Sequence, residues 1–245
     1  NILGRNNFNP VILLSIPGVI LPLKVTLRTV WKEIPMSMAA LVIFFLMVHI
    51  PSPGGERMLG RVDGIILLGL FVLFQYYIYR QIKEYNPEDT EHKPSGPLFR
   101  MIVFIILGLA GLVIGGKLVL DNAVELAKAM GISEKVIGLT IIAAGTSLPE
   151  LATSVVAAFR KNADIAVGNI VGSNIFNLLL IGGTVSVVSP VRYSSIFDID
   201  FYILAAGTIV LFINLLTWRK HRLDRWEAAL LLLSYVGYTA YLIAK

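Results

Sequence analysis

Eight apolar runs, each near the length of one membrane crossing, constrain this chain more than any other feature. They lie near residues 8–23, 34–50, 62–82, 98–120, 134–159, 163–189, 197–217 and 226–244. A hydrocarbon core of about 30 Å takes roughly 20 helical residues. Backbone polar groups inside it must be satisfied internally, so the expected fold is all-α and membrane-integral. Composition agrees: 56% of the 245 residues are hydrophobic and 15% charged, with a mean hydropathy of +0.76. Soluble domains average roughly 45–50% apolar and about 25% charged. The first run is the shortest and carries Pro10 and Pro17.

Several function classes drop out early. The chain has no cysteine, so thiolate metal sites and disulfide frameworks are excluded. His49, His92 and His221 are scattered, which argues against a histidine metal cluster. The net charge of +5 comes from Lys and Arg that fall between apolar runs, as in membrane flanks, not on a nucleic-acid face. Alternate connections carry thirteen Lys or Arg against about seven in the opposite set, which places the polar 83–97 segment (KEYNPEDTEHKPSGP) in the cytoplasm as a linker. The expected location is a prokaryotic inner membrane, with the lipid bilayer as partner and no nucleic acid.

The chain also repeats itself. NILGRNNFN (Asn1–Asn9) and NIVGSNIFN (Asn169–Asn177) share six of nine residues at an offset of 168, which also pairs Pro22 with Pro190 and Lys24 with Arg192. A second echo sets RVDG (Arg61–Gly64) against RLDR (Arg222–Arg225) at an offset of 161. Five crossings separate the two copies of the first motif. An odd number puts them in opposite directions, the inverted-topology repeat of many secondary transporters. Residues 1–82 then form the remainder of a first repeat, 83–97 the linker, and 98–245 a second repeat. By symmetry the first repeat is expected to begin about 70 residues upstream of Asn1, which makes the chain eight of ten helices.

Glu150 sits in AAGTSLPELATS (143–154), where charge is expensive: about 2.5–3.5 kcal/mol at a helix centre. Its neighbours explain it better than snorkelling does. Pro149 removes a backbone donor and Gly145 permits a bend, which frees carbonyls at Ala143 or Thr146. Ser147 and Glu150, at i, i+3, share a helical face. The next run offers Ser173, Asn174 and Asn177, with Asn169, Ser173 and Asn177 forming one polar stripe. By itself the stripe is equally well read as interhelical glue. Facing GTSLPE it becomes an all-oxygen site suited to hard cations such as Ca²⁺ or Na⁺, with a proton able to compete for Glu150.

The segment GLTIIAAGTSLPELATSVVAAFRKNADIAVGNIVGSNIFN (Gly138–Asn177) closely resembles the second alpha-repeat of the calcium/cation antiporter superfamily, the sodium/calcium exchangers and their prokaryotic relatives. The resemblance covers about 98–245 and reaches the tail of the first alpha-repeat through Asn1–Asn9. It implies ten helices in two inverted halves and a midplane site shared by four of them. By motif position the ion ligands would be the Ala143 carbonyl, Thr146, Ser147, Glu150, Ser173 and Asn177, with Asn9 in the other half-site. The implied activity is Ca²⁺ exchange against Na⁺ or H⁺ by alternating access, without enzymatic chemistry and without a cofactor. Several members carry Asp where this chain has Asn177. Arg5 stands where the repeat and the family have Ser, as at Ser173, and a guanidinium there would repel Ca²⁺. Three readings stay open: a start that is not native-like, which the sequence favours, an arginine directed elsewhere, or an altered function. The rivals to antiport are a cation channel, a membrane metalloenzyme, which would want His, Cys or several Asp, and a non-transporting assembly protein using the polar stripe as glue.

Overall fold

The computed structural model describes residues 2–50, 55–84, 97–132, 134–217 and 222–244. All eight apolar runs are helical. Helices α1 (Ile2–Phe8) and α2 (Ser15–Ile20) are joined by a π-helical stretch, Asn9–Leu13. Next come α3 (Ile34–His49), led in by a π stretch at Thr29–Glu33, then α4 (Arg61–Glu84) and α5 (Leu98–Ala129). The fifth run is broken into α6 (Glu134–Ile137), a π stretch at Gly138–Ile142, α7 (Ala143–Thr146) and α8 (Leu148–Phe159). The sixth is α9 (Ala163–Ile175), a π stretch at Phe176–Ile181 and α10 (Gly182–Val188). Helices α11 (Asp198–Thr217) and α12 (Arg225–Ala244) complete the chain.

Among the described residues, five spans are long and apolar enough to cross a membrane, and the bent pair Thr140–Thr146 and Leu148–Phe159 makes a sixth. Two boundaries differ from the hydropathy reading. The first run is helical from Ile2, because Asn6, Asn7 and Asn9 turn into the protein and do not end the span. Helix α5 continues to Ala129, past the polar Asp121 and Glu125, which stay exposed. Gly131, in the left-handed region at φ +76°, then stops it: the Ile132 amide reaches back to the Ala127 carbonyl at 3.0 Å. The linker residues 85–96 lie outside the described residues.

Four short strands show how the halves relate. Strand β1 (Leu23–Lys24) pairs with β4 (Arg222–Leu223), and β2 (Met58–Leu59) with β3 (Val191–Arg192), both antiparallel. At the offset of 168, β1 is the counterpart of β3. The 21-residue span Thr29–His49 separates β1 from β2, so the two pairs sit at opposite ends of the helices. Counterparts therefore face opposite sides, which is the inversion.

The second echo is corrected. The Asp63 carboxylate caps the Gly60 amide and the Glu227 carboxylate caps the Asp224 amide, both at 2.8 Å. Gly60 matches Asp224, Asp63 matches Glu227 and Arg61 matches Arg225, an offset of 164 and not 161. The sequence aligned like letters, Asp63 with Asp224; the fold aligns like roles, one cap with another.

Packing follows the same symmetry. Gly64 on α4 meets Ser186 on α10, and its counterpart Ala228 on α12 meets Gly18 on α2. Helices approach closely where both surfaces are small, since burial of apolar area drives little association in lipid. The described core gathers around α9, with Val167, Ile170 and Ile175 buried against the first half's Leu13, Leu14 and Val30.

Candidate cation site

Each part of GTSLPE has a local cause. Ser147, at φ −102° and ψ 5°, interrupts the helix between α7 and α8, and the two segments bend by 53°. Pro149 occupies the first turn of α8, where a missing N–H does no harm. The Ser147 amide still finds the Ala144 carbonyl at 3.0 Å, and its own carbonyl receives the Leu151 amide at 3.0 Å. Among the described residues its hydroxyl does not find a partner, although Ser147 is 1% exposed. The Thr146 hydroxyl donates to the Ile142 carbonyl at 2.8 Å.

Opposite this break, the two repeated motifs interlock. Asn9 Nδ2 donates to Ser173 Oγ at 3.0 Å and to Asn174 Oδ1 at 2.8 Å. Asn177 Nδ2 donates to Asn6 Oδ1 at 3.0 Å, and Asn6 Nδ2 to the Asn174 carbonyl at 3.5 Å. Asn6, Asn9, Asn174 and Asn177 are all buried. The remaining Asn9 oxygen is buried without a partner among the described residues. Asn9 and Asn177 both lie in π stretches, whose extra residue per turn rotates the side chains that follow.

The expected stripe is shared between two neighbours, although Asn169 and Ser173 both lie in the regular helix α9. Asn169 turns to α8, donating to the Glu150 carbonyl and to Ser154 Oγ, each at 3.1 Å. Ser173 and Asn177 turn to the first repeat. The adjacent Asn174, off the stripe, is as deeply engaged as either. Of the expected ligands, the structure therefore places Thr146, Ser147 and Glu150 at the helix break and Asn9, Ser173 and Asn177 at the crossing. Ala143 opens α7, one turn before the break.

Arg5 joins the two groups. Its Nη2 lies 2.9 Å from the Thr146 carbonyl and 3.6 Å from Glu150 Oε1, with the side chains 28% and 23% exposed. Of the three open readings, the arginine directed elsewhere is overturned: α1 crosses α7 and brings the guanidinium within reach of Glu150. Arg5, Asn6 and Asn174 are the residues the sequence reading left off its ligand list. Identity of Asn6 with Asn174 across the repeat was the available signal for two of them.

A cavity of about 470 Å³ leads away from Arg5 and Asn177, past Phe44, to Arg192, Tyr193 and Asp200 at the β2·β3 end. At its rim Asp198 accepts from Tyr193 at 2.7 Å and sits 3.0 Å from His49 Nε2, tying α3 to α11. Burial, and after it the bond to Asp198, push the Tyr193 phenol above its ordinary range. Asp200 accepts from Asn7 at 3.3 Å. Asp198 and Asp200 thus open α11 while tying it to α3 and α1. Among the described residues, no three His, Cys, Asp or Glu side chains group to hold a metal.

Comparison with known proteins bears on the family and the fold. The family model described as sodium/calcium exchanger protein matches residues 100–244. The putative antiporter CaxA of Alkalimonas amylolytica is 34% identical, over 97% of this chain and 76% of that protein. The inner membrane protein YrbG of Escherichia coli K12 is 31% identical, over 89% of this chain and 68% of that protein. The solved structure of the sodium-calcium exchanger NCX_Mj, soaked with zero Na⁺ and Ca²⁺, superimposes with a TM-score of 0.76 at 27% identity, covering 99% of this chain and 75% of that one. A multi-pass helical membrane protein with inverted halves, GTSLPE at a helix break and GNIVGSNIFN at a crossing, this chain belongs to the sodium/calcium exchanger family.

Proposed function

We propose that the chain is a secondary cation antiporter that exchanges Ca²⁺ for Na⁺ or H⁺ by alternating access. Ala143, Thr146, Ser147, Glu150, Ser173, Asn177 and Asn9 supply the oxygens, and Asn6 and Asn174 hold the crossing rigid. The observation that carries this reading is the interlocking of Asn9 and Asn177, from two inverted π-broken helices, beside the one carboxylate at the GTSLPE break. The buried unpartnered oxygens of Ser147 and Asn9 support it. An unmet acceptor inside a protein costs about 1–3 kcal/mol, and a bound cation would remove that cost. The names of the relatives, antiporter and exchanger, support antiport over the channel alternative.

Coupling follows from charge. With Glu150 neutralised by ions, the site can be carried past an apolar seam; with the carboxylate bare, desolvation opposes movement. Helix α5 is the element suited to move. It lies on α6, the Gly138–Ile142 stretch, α7 and α8, with close approaches at Gly145 and Gly116, and among the described residues the rest of its apolar span is exposed. Lys24, Arg28, Lys32, Arg160, Lys161 and Arg222 gather at the β1·β4 end, which we assign to the cytoplasm. The cavity at the β2·β3 end then faces outward. We assign residues 1–82 and 98–245 to the two repeats, 83–97 to the cytoplasmic linker, and the protein to a prokaryotic inner membrane. Ion movement needs neither a cofactor nor bond chemistry.

The test is radiolabelled Ca²⁺ uptake into proteoliposomes under an opposing Na⁺ or pH gradient. Glu150→Gln should abolish gradient-driven uptake. Uptake that survives this substitution would remove Glu150 from the site.

A further inference from the structure

Arg5 is the feature the antiport reading does not absorb. It is the residue at which the first motif departs from the second in charge: NILGRNNFN against NIVGSNIFN, with Ser173 as its counterpart. Its guanidinium lies against two of the oxygens nominated for a transported ion, the Thr146 carbonyl at 2.9 Å and Glu150 Oε1 at 3.6 Å. It also lines the cavity that leads to the site. Two further observations bear on what it does there. Its Nε is buried without a partner among the described residues, so the side chain is not seated as a well-satisfied structural ion pair. Ser147 and Asn9 keep unpartnered buried oxygens, so the arginine does not complete the oxygen set.

We propose that Arg5 is a specificity-determining residue of the cation site, a tethered cation that takes the place between the Thr146 carbonyl and the Glu150 carboxylate. This rests on the antiporter reading and adds to it. With Arg5 present, Glu150 is offset in part by the chain itself, through a loose pair at 3.6 Å that leaves the empty site still charged enough to oppose movement. An arriving ion must share or displace a positive charge that cannot be lost, because a guanidinium does not deprotonate in proteins. The opposition scales with the charge of the ion, so Ca²⁺ is penalised twice as much as Na⁺ in free energy. At a few ångströms and an effective dielectric of about 20, discounted for the partial exposure of both side chains, the penalty for Ca²⁺ is about 100-fold in affinity and for Na⁺ about 10-fold.

The experiment measures half-saturating Ca²⁺ and Na⁺ for the full chain in proteoliposomes, by gradient-driven tracer uptake and by ion-dependent thermal stabilisation. Wild type is compared with Arg5→Ser, Arg5→Gln and Arg5→Lys. The neutral variants should lower half-saturating Ca²⁺ by about 100-fold and half-saturating Na⁺ by about 10-fold, while Arg5→Lys stays near wild type. Serine restores the counterpart residue and glutamine keeps length without charge, so agreement between them separates charge from shape. If wild type and Arg5→Gln bind Ca²⁺ equally well, the tethered cation is wrong and the antiporter stands. If no variant, wild type included, binds or moves either ion, the antiporter reading falls and takes this inference with it.

Discussion

Replacing Gly64 by alanine tests the helix packing most sharply. A Cβ built on Gly64 would lie 2.6 Å from Ser186 Oγ, 2.7 Å from the Gly183 carbonyl and 2.8 Å from Val187 Cγ2, all on α10. One of these is backbone and cannot swing aside. To reach ordinary contact near 3.4 Å, α4 and α10 must part by about 0.7 Å along their shared face, an overpacking that costs about 3 kcal/mol, the upper end of the usual range. Alanine returns about 0.5–1 kcal/mol of helix propensity, leaving a net loss of about 2 kcal/mol. Gly69 lies on the same helix with nothing within 4 Å of its Cβ position. Gly69→Ala therefore isolates the propensity gain. In detergent, thermal unfolding should fall by about 4–8 °C for Gly64→Ala and rise by a few degrees for Gly69→Ala, at about 2–4 °C per kcal/mol for a chain of this size. Adding Ser186→Gly removes the nearest obstacle but not the Gly183 carbonyl, so it should recover only part of the loss. Equal melting of Gly64→Ala and Gly69→Ala would refute the close approach of α4 and α10.

Two further outcomes follow from the site and its rim. Asn9→Ala leaves Ser173 and Asn174 without the amide that both accept from, and should lower stability by about 1–3 kcal/mol in denaturant or thermal unfolding, while Asn9→Asp should weaken the crossing and strengthen cation-dependent stabilisation. Tyr193 has its phenol raised by burial and by the Asp198 bond, so the folded chain keeps a proton that the unfolded chain loses above about pH 10. Stability should fall as pH rises past that point, and Tyr193→Phe should flatten this alkaline slope; an unchanged slope would show that Tyr193 does not titrate late.

Much of the architecture was legible before any coordinates. Medium, span positions and inversion follow from hydropathy, from Lys and Arg placement and from one repeat of nine residues. These are linear properties: a helix in lipid must satisfy its own backbone, so span length and polarity read directly off the chain. Glu150 was legible for the same reason, since a charge among apolar residues needs a cause. The helix break at Ser147 followed from Pro149 beside Gly145.

The tertiary structure decided what depends on angle. The π stretches at Asn9–Leu13 and Phe176–Ile181 change the rotation of the helices at the crossing, and no spacing rule applied to an α-helix carries through them. Within α9 itself the packed neighbours, not the spacing, decide the partners: Asn169 meets α8, Ser173 meets Asn9 of the first repeat, and Asn174 joins a network that the stripe left out. The offset of 164 in the second half of the repeat emerged only from strand pairing and capping, because caps conserve a geometry that several residue types can fill. Arg5 is the clearest case. From sequence its charge was known but its direction was not, and only the crossing of α1 over α7 sets the guanidinium against the Thr146 carbonyl and Glu150.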